Sequence, residues 1–145
     1  MAISHQTTQK ILELYARYAH AFDDNRPDAF AECFTATGRM RTNRPLLLEG
    51  HDALRAFVSD WWAQSSGAPR HASWHHVFEG DERDLIRCRC SAALFITSGV
   101  EVSTAFTATY RDEFRKAGNG TWRISERVVE MDRPPPFRNE TVSGA

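Results

Sequence analysis

The second half of this chain constrains its fold more than any other feature. Four segments rich in β-branched and aromatic residues, 71–78, 85–96, 100–114 and 122–131, follow one another there. Between them lie only the turn clusters Glu79-Gly80-Asp81, Thr97-Ser98-Gly99 and Ala117-Gly118-Asn119-Gly120. A crossover between parallel strands needs a dozen residues or more, so connections this short join antiparallel neighbours. The four segments therefore read as a run of long hairpins.

The first half has a different period. Ile11, Leu14, Tyr15, Tyr18 and Phe22 recur every three or four residues, which predicts an amphipathic helix over 4–22 with Ser4 as its cap. The chain breaks at Asp23-Asp24-Asn25-Arg26. Pro27 then suits the first turn of a short second helix that buries Phe30, Cys33 and Phe34. After a polar bend at Thr37-Gly38, a strand is expected over 39–43, and Leu46-Leu47-Leu48 leads to Gly50. A third helix carries Asp52 in its first turn and Ala53, Leu54, Phe57, Val58, Trp61 and Trp62 on its apolar face, ending at Ser65-Ser66-Gly67. Helices segregated from hairpins make an α+β fold. One domain is expected over 1–132, followed by a Pro-rich tail over 133–145 that is extended or reaches a neighbouring subunit.

Charge and cysteine usage narrow the function classes. The net charge is −1 with the signs interspersed, which offers no broad footprint for nucleic acid or an anionic membrane. No apolar run is long enough to span a bilayer, and residues 1–10 lack the order of a signal peptide, so a cytoplasmic location is expected. Three cysteines make no secreted disulfide framework; Cys88 and Cys90 point the same way on one strand and read as small buried hydrophobes.

Phosphate-binding glycine loops, nucleophile elbows and zinc-protease helices are absent from the sequence. Three polar features remain. Asp23 ends the first helix, where the negative end of the dipole makes a carboxylate call for a cationic partner; a turn-forming Asp-Asp-Asn loop is the alternative. Strand alternation sets His71, Ser73 and His75 on one face and Trp74, His76 and Phe78 on the other. Three imidazoles without an acidic ligand are a weak zinc signal, and one catalytic histidine is the more economical reading, since imidazole exchanges protons near neutrality. Arg127 is either solvent-facing or an internal anion clamp: alternation opposes it to Trp122 and Ile124, and a β-bulge would reverse that parity.

The order and spacing of several pieces carry a resemblance. They are Tyr15-Ala-Arg-Tyr-Ala-His-Ala-Phe-Asp23, Pro27-Asp-Ala-Phe-Ala-Glu-Cys-Phe34, Gly50-His-Asp-Ala-Leu-Arg-Ala-Phe57, Arg70-His71 and Gly120-Thr-Trp-Arg-Ile-Ser125. Over nearly all of residues 7–132 the chain resembles the SnoaL-like branch of the nuclear transport factor 2-like superfamily. Within it, the chain is most similar to the group of scytalone dehydratase, hexachlorocyclohexane dehydrochlorinase and bile-acid 7α-dehydratase. The resemblance implies a cone-shaped α+β barrel, a strongly curved antiparallel or mixed sheet closed by helices round a deep pocket. It implies a catalytic Asp–His dyad at Asp23 and His71, with Arg127, turned toward the pocket, and Tyr18 as further catalytic residues that stabilise the developing oxyanion or protonate the departing hydroxyl. His75 stands where relatives often carry Asn and joins the substrate-binding set. Phe22, Trp61, Trp62, Phe34 and Phe106 are candidate pocket walls.

The activity so implied is a cofactor-independent, dehydratase-type elimination on a small apolar cyclic or aromatic substrate. The alternatives are an isomerase or polyketide-type cyclase using the same dyad, or a non-catalytic small-molecule-binding module. No metal, nucleic-acid or membrane partner is called for. A homodimer or homotrimer is expected, with the outer sheet face and the Trp74, His76 and Phe78 strand as candidate contact surfaces.

Overall fold

The computed structural model describes residues 2–44 and 46–133. Helix α1 (His5–Asp23) starts where the Ser4 hydroxyl accepts the Thr7 amide at 3.1 Å, and buries the expected stripe of Ile11, Leu14, Tyr15, Tyr18 and Phe22. It stops at Asn25, whose φ of +54° lies in the left-handed region that asparagine tolerates. Helix α2 (Pro27–Glu32) begins on its proline, and α3 (Gly50–Gln64) buries Leu54 and Val58 completely.

The strands are β1 (Phe34–Thr42), β2 (Leu46–Glu49), β3 (Ala68–Asp81), β4 (Leu85–Ser98), β5 (Glu101–Lys116) and β6 (Trp122–Met131). They form one sheet in the order β2-β1-β6-β5-β4-β3. The three hairpins β3–β4, β4–β5 and β5–β6 are antiparallel, as their short turns require, and β1 runs parallel to β6, so the sheet is mixed. The last strand of the described residues thus lies in the middle of the sheet, and the edges β2 and β3 stay unpaired with each other. The helices cover the inner face. The outer face carries ion pairs, among them Arg39 and Arg41 on Glu126, Arg87 on Glu113 and Arg111 on Glu130.

Among the register shifts in the sheet, two decide where expected site residues point. In β3, Trp74 pairs with Ser91 and Val77 with Arg89, so one extra residue sits between them, and His75 takes a φ of +59° there. In β6, Ile124 pairs with Phe114 and Glu126 with Glu113, leaving Ser125 as the extra residue. These bulges correct simple alternation. The β6 bulge turns Arg127 to the inner face with Trp122 and Ile124. The β3 bulge brings His76 and Phe78 to the inner face and leaves Trp74 and Val77 exposed, so Trp74, His76 and Phe78 do not make one common surface.

Strand β1 also begins earlier than its sequence suggests. Thr37 and Gly38 lie inside it, at a register shift against β6 between Phe34 and Arg39. A Cβ on Gly38 would stand 2.9 Å from the Ile124 carbonyl oxygen, so only glycine lets the two backbones approach this closely. Among the described residues no helix is long and apolar enough to cross a membrane. Apart from Arg133, the expected Pro-rich tail lies outside the described residues.

Candidate active site

Asp23 closes α1, and the carbonyl of the residue before it, Phe22, accepts the Trp62 indole N–H at 2.8 Å. That bond fastens the end of α1 to α3, on a carbonyl that also accepts the Asn25 amide at 3.1 Å. The Asp23 side chain is 1% exposed. A buried carboxylate at the negative end of a helix needs donors, and His71 supplies two: its backbone amide to Oδ2 at 2.9 Å and its ring Nδ1 to Oδ1 at 2.7 Å. A carboxylate only accepts, so this geometry sets the proton on Nδ1 and leaves the Nε2 lone pair free. Nε2 has no partner among the described residues. Phe22 and Tyr18 meet the imidazole edge-on, with centroids 4.8 and 5.9 Å away, and hold its plane.

His71 borders a cavity of about 330 Å³; Asp23 does not. The imidazole thus stands between the carboxylate and the cavity. Tyr18, Tyr110 and Met40 surround the same end, Phe22, Phe57 and Trp61 form one wall, and Leu94, Phe106, Val129 and Met131 another. Thr42 at the end of β1, Arg44 on the connection, Leu46 at the start of β2 and Ala105 on β5 complete the lining, with Arg44 the one arginine or lysine among these residues.

Beneath the phenols lies a buried ion pair. Arg127 has no exposed surface and holds Asp112 with two bonds, Nε to Oδ1 at 2.7 Å and Nη2 to Oδ2 at 2.9 Å. The Tyr15 hydroxyl donates to Asp112 Oδ2. The guanidinium carbon lies 4.1 Å from the Tyr18 ring centre, 4.2 Å from that of Tyr110 and 5.0 Å from that of Tyr15. Burial opposes the charge on Arg127, but Asp112 outweighs it and keeps the guanidinium protonated. Burial pushes all three phenols above their ordinary range, with Arg127 only partly opposing it, so each remains an O–H donor.

The structure brings Asp23, His71, Tyr18, Phe22, Trp61 and Phe106 to one place. It separates the others. His75 sits exposed in the β3 bulge, away from the cavity, because the extra residue turns it outward. Phe34 is 1% exposed and packs on Tyr18 and Phe30, in the core and not on the cavity wall. Trp62 serves the end of α1. Arg127 is on the inner face but below the cavity, with Tyr18 and Tyr110 lining it. His76 stacks on Phe78 and meets Tyr15 edge-on at 4.6 Å, and its buried Nε2 has no partner among the described residues.

Tyr110 and Asp112 are absent from the sequence-based set. Their signal was parity: they share an inner face of β5 with Ala108 and Phe114, and an aspartate on an otherwise apolar face needs a buried partner. Cys33, Cys88 and Cys90 are buried free thiols, and burial pushes Cys33 up to about 11. Among the described residues no three His, Cys, Asp or Glu side chains converge as a metal site.

Residues 5–128 match the family described as the SnoaL-like domain. No curated protein matches the chain in sequence. Among solved structures, it is similar to a single-residue variant of Rv3472, a protein of unknown function from Mycobacterium tuberculosis, with 23% identity, 90% of this chain and 79% of that one covered, and a TM-score of 0.82. Aln2 from a Streptomyces species gives 24% identity, 91% and 95% coverage and a TM-score of 0.82. An NTF2-like protein with a cystatin-like fold from Novosphingobium aromaticivorans gives 19% identity, 93% and 88% coverage and a TM-score of 0.79. At these identities the likeness is one of fold.

Proposed function

The chain belongs to the SnoaL-like domain family, and from that premise we propose that it is a cofactor-independent lyase. It would carry out a dehydratase-type elimination on a small apolar cyclic or aromatic substrate, with Asp23 and His71 as the acid–base pair. The family includes polyketide cyclases, dehydratases and isomerases. The observation that carries the reading is the 2.7 Å Nδ1–Oδ1 bond on an imidazole that borders an apolar cavity.

The geometry supports a specific division of labour. His71 Nε2 takes a proton from the carbon next to a substrate carbonyl, and Asp23 stabilises the imidazolium that forms. The electron pair of the broken C–H bond passes through an enolate and expels the β-hydroxyl. That group leaves as water after receiving a proton, which the imidazolium can return. General-base help of this kind contributes ~10²–10⁴-fold. Tyr18, at the same end of the cavity, is in position to donate to the substrate oxygen. The aromatic walls keep water from competing with these bonds. A homo-oligomeric state belongs to the same reading, and its test is the molecular mass in solution.

A panel of cyclic β-hydroxy ketones, followed by mass spectrometry, tests the proposal. The expected product is lighter than its substrate by one water. His71→Ala should lower turnover ~10²–10⁴-fold. Asp23→Asn should also be impaired, because its carboxamide can keep the bond from the His71 amide only by turning its NH₂ toward Nδ1. That reverses the tautomer and puts the proton on Nε2. Products of unchanged mass that still require His71 would instead identify an isomerase or polyketide-type cyclase. Full turnover in both variants would remove the dyad from the chemistry, and binding without turnover would leave a ligand-binding module.

A further inference from the structure

Three tyrosines surround the Arg127 guanidinium, and they are not equivalent. Tyr15 donates its hydroxyl to Asp112 and does not line the cavity. Tyr110 lines the cavity and is 3% exposed; its hydroxyl makes no hydrogen bond to a described residue and is not one of the enclosed atoms left without a partner, so it keeps accessible surface. The Tyr18 hydroxyl donates to the Met40 sulfur at 3.5 Å, and a thioether is a weak acceptor. A phenol in a protein interior ordinarily finds a strong partner. The two phenols whose protons lack a strong acceptor are the two that line the cavity beside His71.

We infer that Tyr110 is a further catalytic residue: its hydroxyl, together with that of Tyr18, forms a two-donor cradle for the oxygen that becomes negative during the reaction. This rests on the function proposed above and supplies the electrostatic half that the dyad lacks. Tyr110 comes from β5 and Tyr18 from α1, and their rings meet edge-on with centroids 6.4 Å apart. Arg127 lies against both rings at 4.1 and 4.2 Å. A cation on the ring withdraws electron density and strengthens each O–H as a donor. Arg127 gives Nε and Nη2 to Asp112 and keeps Nη1 buried without a partner among the described residues, but it does not line the cavity, so the phenols, and not the guanidinium, meet the substrate. Phenols that stay protonated can donate throughout the reaction, and in a dry cavity each such bond counts for more than it would in water.

Tyr110→Phe removes one oxygen atom and no hydrogen bond to a described residue, so its thermal midpoint should be unchanged or higher. Tyr15→Phe, which loses its bond to Asp112, should lower it. Two readouts then test the cradle. The first needs no turnover: 4-nitrophenolate, whose absorption maximum moves with the hydrogen bonds its oxygen accepts, is titrated into wild type and Tyr110→Phe. Affinity should fall about ten- to hundredfold in the variant, with the bound maximum shifted. The second is kinetic, on any substrate found with the panel: kcat and kcat/KM should fall together by ~10²–10³-fold.

The failures are distinguishable. Unchanged 4-nitrophenolate affinity and unchanged kcat in Tyr110→Phe would overturn the cradle, even if His71→Ala abolishes turnover and the elimination stands. A loss of phenolate affinity would support the donor pair even if no β-hydroxy ketone is dehydrated and the lyase reading falls. No bound phenolate in wild type would count against the cradle.

Discussion

Arg127 and Asp112 carry opposite charges with 0% and 2% of their surface exposed, inside a core otherwise built from aromatic and aliphatic side chains. Taking two charges out of water is costly, and their two hydrogen bonds with the cation–ring contacts offset that cost only as a set. The asymmetry gives a prediction. Asp112→Ala leaves a buried guanidinium without its counter-charge and frees the Tyr15 hydroxyl, so urea unfolding should show a loss of about 3–5 kcal/mol. Asp112→Ala combined with Arg127→Met should recover part of it; a double variant no more stable than the single would mean that the pair is not the unit described. Asp23 shows the same logic at smaller scale. One of its oxygens orients an imidazole and the other holds the backbone of the same residue.

At the level of strands, what decides which side chains reach the core is the phase of each strand. Gly38 shows how tightly this is held. Its Cβ would meet the carbonyl oxygens of Ile124 and Thr35 and the Cβ of Phe34 within 3.0 Å, and backbone cannot swing aside. Gly38→Ala should therefore cost about 1–3 kcal/mol and lower the thermal midpoint. Gly118→Ala, where an added Cβ meets nothing within 4 Å, should leave it near wild type. The same features explain what was legible in the sequence. Helix periodicity and turn length reported α1, α3 and the three hairpins, because these depend on neighbours within a few residues. Phase did not follow, because a bulge is chosen by the partner strand: nothing local at Ser125 says that it stands outside the ladder opposite Glu113 and Phe114. That one residue put Arg127 inside, and the one at His75 exchanged the places expected for His75 and His76. Asp23 and His71 were legible as candidates, but their contact spans 48 positions and belongs to the fold.

For the molecule as a whole, the chain's three tyrosines are all buried around one cation. Their folded-state pKa values lie above the ordinary value near 10, with burial the first cause in each. The folded state then holds phenolic protons that the unfolded chain releases, so stability is intact below about pH 10 and falls above it. The slope should reach roughly 1.4 kcal/mol per pH unit for each tyrosine. Tyrosinate absorbance should appear in one step that coincides with loss of near-ultraviolet dichroism. A gradual rise near pH 10 with the dichroism intact would contradict it. The strand order has a consequence for biosynthesis. As the chain leaves the ribosome, β1 with β2 and the β3–β4–β5 meander emerge first, each with an open edge facing the gap that β6 will occupy. Until Trp122–Met131 arrives, Asp112 has no counter-ion and two strand edges remain templates for foreign pairing. The last of the six strands to be synthesised is the one that joins the sheet, so a nascent or prematurely terminated chain is the form of this protein most in need of a chaperone.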